Sequence, residues 1–298
     1  MGLIMGSVIP PPISLADRVL TARRSAYIMS IVNCTPDSFW ELSRTYSSSQ
    51  AAEQALAHFE CGADIIDIGG ESSRPGSEYV SADEQIKRIV PVIEQIRRHS
   101  DIPLSVDTRL LPVMQAARQA GADILNDISA LEDDAELGIW AAKEKIPVIL
   151  MHKRGTPLIM QNNTYYTDIV SEIALYLSNR IQYAVSQGIR PDKIIADPGI
   201  GFGKDVRANT ALIQGGYSLA ELIYKQSGVK LQHMLMGLSR KSVIGALTGK
   251  NTEERLAGSI AANLIAVQHG FNILRVHDTA QTADMLNVLT AFLQTGQT

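Results

Sequence analysis

The run Asp197-Pro198-Gly199-Ile200-Gly201-Phe202-Gly203-Lys204 follows the apolar stretch Ile194-Ile195-Ala196, so a carboxylate stands at the C-terminal tip of a predicted strand. Proline fixes the turn behind the acid, and three glycines in five positions let backbone N–H groups approach a ligand closely. Leu104-Ser105-Val106-Asp107-Thr108 and Ile124-Leu125-Asn126-Asp127 also end apolar runs in hydrogen-bonding side chains. Carboxylates and amides converging from three strand tips are suited to reading a flat, polar heterocycle. Asn33, Arg74, Arg275 and His277, at or just beyond other strand ends, add donors and positive charge for an anion beside it.

The elements that must carry these groups alternate from Tyr27 onwards. Continuous apolar runs predict strands over 27–33, 64–69, 103–108, 124–129, 147–152, 194–198, 233–239 and 273–277, as parallel strands buried on both faces require. Helical spacing appears over 51–61, 82–98, 112–120, 135–145, 168–187, 253–269 and 282–293, while 215–232 is longer than a minimal helix and loop. Gly62, Gly121, Gly188 and Gly270 sit where a helix hands over to the next strand. Eight units predict an α/β chain, a (β/α)₈ TIM barrel over 27–298 with a short N-terminal extension over 1–26 as a plug. An open doubly wound sheet is the alternative, but no G-x-G-x-x-G follows the first strand.

The 298 residues are 45% hydrophobic and 19% charged, enough to bury one large core in one domain. A net charge of −4 and a pI near 5.9 speak against nucleic acid as a partner and for small metabolites. Cys34 and Cys61 have no second pair with which to build a zinc site, and read as reduced thiols of a cytoplasmic protein. No 18-residue apolar run predicts a membrane span.

With these motifs the chain resembles the dihydropteroate synthases of the pterin-binding (β/α)₈ family, from about Tyr27 to about Thr279. Eight motifs in order carry the resemblance: Asn33-x-Thr35-Pro36-Asp37-Ser38-Phe39, Asp67-x-Gly69-Gly70-Glu71-Ser72-x-Arg74-Pro75-Gly76, Ser105-x-Asp107-Thr108, Asn126-Asp127, Met151-His152-x-Arg154-Gly155-Thr156-Pro157, the Asp197–Lys204 run, Ser239-Arg240-Lys241-Ser242 and Arg275-x-His277-Asp278. The resemblance implies condensation of 6-hydroxymethyl-7,8-dihydropterin diphosphate with 4-aminobenzoate in folate synthesis, giving 7,8-dihydropteroate and diphosphate. It implies pterin contacts from Asp107, Asn126, Asp197 and Lys241. Asn33, Ser73, Arg74, Arg275 and His277 would hold the diphosphate, with Asn33 on a Mg²⁺ ion, and Pro75, Phe202, Lys241 and Ser242 would line the aminobenzoate slot. Asn33, Lys241, Arg275 and His277 are the implied catalytic groups, sulfonamides are implied mimics of aminobenzoate, and a homodimer is the implied assembly.

The sequence departs from the family pattern at Trp40-Glu41-Leu42-Ser43, where a Ser-Asp-Gly-Gly stretch is usual and Glu41 stands in for the acid. Ala130 replaces a common glycine, and Ser73 a threonine. A pterin-binding paralogue without turnover and a pterin-dependent methyltransferase are the other readings. The methyltransferase would not need Lys241, Arg275 and His277 together. Other residues take structural readings: Asp127 caps its own turn, His152 is structural, Cys34 packs behind its loop and Lys204 is solvated.

Overall fold

The computed structural model describes residues 8–35, 44–74 and 76–295. The strands are β1 (Ile13–Ser14), β2 (Val19–Leu20), β3 (Tyr27–Asn33), β4 (Ile65–Gly69), β5 (Leu104–Asp107), β6 (Ile124–Asp127), β7 (Val148–Met151), β8 (Ile194–Asp197), β9 (His233–Met236) and β10 (Ile273–Val276). The helices are α1 (Arg44–Glu60), α2 (Ala82–Arg97), α3 (Leu111–Ala120), α4 (Ala135–Glu144), α5 (Ile169–Ser186), α6 (Val206–Gln214), α7 (Gly216–Ser227), α8 (Ser242–Thr248), α9 (Leu256–Gln268) and α10 (Thr279–Thr295). Strands β3 to β10 close a parallel barrel in sequence order, with β10 pairing β3 through Ile273 opposite Tyr27. The expected (β/α)₈ barrel is therefore present.

Two apolar clusters explain why the apolar runs are continuous. One face of each strand packs outward against the helices, where Ile28, Ile66, Leu104 and Leu125 are buried. The other face fills the barrel interior with Tyr27, Met29, Ile65, Ile124, Ile149, Ile195, Leu235 and Ile273. The antiparallel hairpin β1–β2 adds Ile13 and Leu15 to this interior cluster and so seals its N-terminal end. The Tyr27 hydroxyl donates to the Pro11 and Leu20 carbonyls, and Lys193 Nζ donates to the Ser14 and Leu15 carbonyls, so the hairpin is tied at both flanks.

Several strands end earlier than their apolar runs, because the last residues of each run leave the ladder and turn into the mouth. The run expected over 233–239 pairs only to Met236, and 273–277 only to Val276. The long stretch 215–232 holds α7, and a further helix, α6, precedes it and meets it at Gly215-Gly216. Side-chain carboxylates of Asp134, Asp168 and Asp205 accept the first backbone N–H groups of α4, α5 and α6.

Candidate active site

The register of the barrel lines up the polar strand tips. Asn33 stands opposite Gly69, Gly69 opposite Asp107, and Asp107 opposite Asn126. Asp197 ends β8 opposite Met151. A Cβ at Gly69 would lie 3.6 Å from the Asp107 Cβ, in ordinary contact. Asn33 is half-buried at its strand end, while Asn126 and Asp197 are buried.

Arg275 reaches across the mouth from β10 and joins this row. Its Nε donates to Asp67 Oδ2 at 2.6 Å and its Nη2 to Asp107 Oδ2 at 2.9 Å. Asn126 Nδ2 donates to both oxygens of Asp67, at 3.3 and 3.2 Å. Asp67 is fully buried, so its charge is held by these two partners and not by water. Burial pushes the Asp107 carboxyl up, Arg275 pulls it down, and Asp67, Glu71 and Asp127 push it further up.

The glycine-rich run after β8 builds the opposite wall. Gly199 has φ +70° and a Cβ there would overlap the His152 carbonyl, so only glycine fits. Its N–H donates to Asp197 Oδ1 at 2.7 Å. Lys204 is not solvated as expected: at 3% exposure its Nζ donates to the Gly199 and Phe202 carbonyls, at 2.8 and 3.0 Å, and lies 2.8 Å from His152 Nδ1. A buried lysine that gathers these carbonyls holds the loop's curve. His152 packs edge-on against Tyr176, in keeping with a structural role.

Lys241 caps the start of α8 and points back at this loop. Its Nζ donates to the Ile200 carbonyl at 2.6 Å and stands 4.7 Å from the centre of the Phe202 ring. The turn that delivers it is strained, because Arg240 takes φ +56°. Arg240 is held there by a two-pronged ion pair with Asp278, by its N–H on Ser259 Oγ and by Arg255 on its carbonyl. Ser242 is exposed at the first turn of α8, and Phe202 is half-buried.

His277 lies beyond β10, with its Nδ1 3.3 Å from Ser239 Oγ. Burial, then Arg275 and Arg240 and lastly Arg74, pull its imidazole down to about 4 against Asp278. Arg74 is thus close enough to be felt at His277, while Ser73 beside it is half-buried. At neutral pH His277 is a neutral ring that can donate one N–H. A bound diphosphate is expected to raise its pKa, read from the His277 Cε1 proton in an NMR titration. An unchanged titration would remove His277 from any anion site.

A family model described as "Pterin binding enzyme" matches residues 29–277. The chain belongs to the pterin-binding enzyme family. It is 43% identical to the dihydropteroate synthase of Haemophilus influenzae over 261 residues, covering 88% of this chain and 92% of that one. Among solved structures, the Xanthomonas albilineans dihydropteroate synthase with 4-aminobenzoic acid is 41% identical with a TM-score of 0.85, covering 95% of this chain and 98% of that one. The same enzyme in complex with 7,8-dihydropteroate gives 40% and 0.81 at the same coverage.

Within this family frame, Asp107, Asn126 and Arg275 are bonded together through Asp67, and Asp197 and Lys241 stand close enough to feel Arg275. Sequence reasoning gave Asp107 and Arg275 to different ligands, yet they form one ion pair. It assigned no role to Asp67, although a lone acid inside the apolar run Ile65-Ile66-Asp67-Ile68 was the available signal. It also passed over Arg240 and Asp278, whose opposite charges follow the ends of neighbouring strands. Asp127 accepts from Ser129 N, Ser129 Oγ and Leu131 N, and so caps its own turn through the left-handed Ala130 and Leu131. Burial pushes the Cys34 thiol up to about 12, which fits a packed residue and not a nucleophile. Pro75, Asp37, Ser38 and the Trp40-Glu41-Leu42-Ser43 stretch lie outside the described residues.

Proposed function

We propose that this chain is a transferase of folate synthesis that forms 7,8-dihydropteroate and diphosphate from 6-hydroxymethyl-7,8-dihydropterin diphosphate and 4-aminobenzoate. The observation that carries the reading is the convergence of three acceptor side chains, Asp107, Asn126 and Asp197, with the two cations Lys241 and Arg275 at one barrel mouth. In this reading Asp197 Oδ2, which has no hydrogen-bond partner among the described residues, accepts from the amino and ring N–H edge of the pterin. Asn126 and Asp107 read the same ring, and Lys241 donates to it. Asn33, Ser73, Arg74, Arg275 and His277 receive the diphosphate. Phe202, Ser242, Pro75 and the Lys241 stem line the slot for 4-aminobenzoate.

The chemistry needs no protein nucleophile. The C–O bond from the pterin methylene to diphosphate breaks as the aminobenzoate nitrogen forms its bond to that carbon, and the resulting anilinium loses a proton to water. Arg275, Arg74 and a donated His277 N–H hold the negative charge that builds on the leaving oxygen, while the carboxylates face the positive charge that spreads over the ring. A magnesium ion, when bound, shields the diphosphate charge. The donor set fits a shared site: no group of three His, Cys, Asp or Glu residues suited to a metal occurs among the described residues, so Asn33 would offer one neutral oxygen and the diphosphate and water the rest.

Burial and Arg275 pull the Lys241 ammonium down to about 8, against Asp197 and Asp107. The protonated form donates, so kcat/KM is expected to be full below that value and to fall as pH rises through it. Lys241→Arg, which keeps its charge, should shift this alkaline limb upward. An identical limb in parent and variant would unseat Lys241 from the site.

No helix among the described residues is long and apolar enough to cross a membrane, and we place the chain in the cytoplasm. A homodimer is part of the proposal, supported by exposed Tyr217, Tyr224, Leu247 and Ile265 on α7, α8 and α9. Release of diphosphate from the pterin substrate, assayed with and without 4-aminobenzoate, tests the whole reading. A methyltransferase or a binding paralogue would bind the pterin and release none.

A further inference from the structure

The loop between β4 and α2 carries Ser73 and Arg74, and its shape is fixed from several sides. At its neck the Val80 N–H donates to Glu71 Oε1, while Gln85 Nε2 donates to the Val80 carbonyl at 2.9 Å. Near its tip the Gly76 N–H donates to the Pro157 carbonyl at 3.0 Å, which links it to the segment after β7. Along its flank runs Arg109, two residues past the tip of β5. The Arg109 guanidinium carbon sits 3.6 Å from the centre of the Tyr79 ring. Its Nε is 3.4 Å from Glu71 Oε2 and its Nη1 3.5 Å from Asp133 Oδ2. Lys153 repeats the pattern from the β7 side, 3.2 Å from Asp133 Oδ2 and 3.4 Å from the Tyr79 hydroxyl. Tyr79, Arg109, Asp133 and Lys153 line an open depression of about 430 Å³.

Among the described residues Arg109 meets both ends of the loop, Glu71 at the start through an ion pair in which its Nε makes no hydrogen bond, and Tyr79 near the close through the ring. Its side chain is 12% exposed, so water screens these contacts much less than those of a surface pair. The planar guanidinium stacks on the ring and meets carboxylates at its edge, which a lysine cannot do at once. Neither Arg109 nor Tyr79 belongs to the substrate contacts proposed above, so the network has no part in that binding except through the loop.

We infer that Arg109 is a positioning residue: by pairing with Glu71 and stacking on Tyr79 it holds the loop that carries Ser73 and Arg74, and thereby sets the affinity for the diphosphate end of the pterin substrate. The inference rests on the proposed function for its substrate, but the clamp itself can be read separately. Arg109→Gln should raise the KM for the pterin diphosphate at least fivefold, and leave binding of the diphosphate-free pterin alcohol within twofold. Arg109→Lys should fall between parent and Arg109→Gln. Amide hydrogen exchange should speed up in 71–80 of Arg109→Gln while the barrel strands exchange as in the parent. Parental KM together with parental exchange would overturn the inference, and so would a raised KM with parental exchange. Should Arg109→Gln exchange faster throughout, Tyr79→Leu decides: it removes only the stacked ring and must reproduce the local pattern, and parental behaviour in that variant overturns the clamp. A parent that releases no diphosphate defeats the proposed function, while the exchange comparison still decides whether Arg109 holds the loop.

Discussion

Arg275→Met is expected to destabilise the fold by about 3–5 kcal/mol, the range for removing one partner of a buried ion pair. Asp67 is fully buried and Asp107 nearly so, and Arg275 is the cation in contact with both. Without it Asp67 keeps only the Asn126 amide, and two neighbouring carboxylates repel each other across the strand tips. The Asp107 carboxyl, already pushed up by burial and held back by Arg275, should then rise further above its unfolded value. The folded variant would bind protons that the unfolded chain has already released, so its stability should fall as pH rises. The deficit is therefore expected to be larger at pH 8 than at pH 5 in urea titrations. Asp67→Asn in the same chain should recover part of it, since one buried charge is gone. A loss below about 1 kcal/mol would mean that these carboxylates are solvated. Turnover should vanish in either case, because Arg275 is one of the cations proposed to hold the leaving diphosphate.

Asp197→Asn is expected to separate binding from folding. The side chains are the same size, and the Gly199 N–H can still be met by an amide oxygen. Burial pushes the Asp197 carboxyl up, so a neutral amide removes a charge the fold does not favour, and the melting temperature should hold or rise. The pterin should suffer instead. An amide cannot accept two adjacent N–H donors without turning its own donor towards one of them, at about 2 kcal/mol or more, roughly 30-fold in Kd. Calorimetry with the pterin diphosphate reads this directly. Unchanged affinity would show that Asp197 shapes the glycine loop and does not read the ring.

The barrel was legible because parallel strands buried on both faces leave unbroken apolar runs, and because Gly62, Gly121, Gly188 and Gly270 mark the hand-over points with positive φ. The strand tips were legible as polar residues at the ends of those runs. What the sequence hid were partnerships across the mouth. Nothing along the chain says that Arg275 meets Asp67, 208 residues away, or that Lys204 finds two carbonyls of its own loop and the His152 ring. A lysine after Gly-Phe-Gly reads as solvated until the loop is seen to curl around it. Helices α6 and α7 were blurred because Gly215 serves as the end of one and the start of the next, with no side-chain cap to mark the break. Glu41, the stand-in acid of the first loop, lies outside the described residues.

The hairpin that seals the barrel floor has a consequence for how the chain is made. Tyr27 and the hairpin residues Ile13 and Leu15 share one cluster with Ile273, and Tyr27 pairs with Ile273 itself. At about 5–20 residues per second, the 246 residues from Tyr27 to Ile273 take roughly 12–50 s to emerge from a ribosome. For that interval the first-made apolar segment has no final strand to close against. Birth order and docking order are thus opposed: the floor is synthesised first and locked last, and a nascent chain would present Ile13, Leu15 and Tyr27 to chaperones until its closing strand arrives.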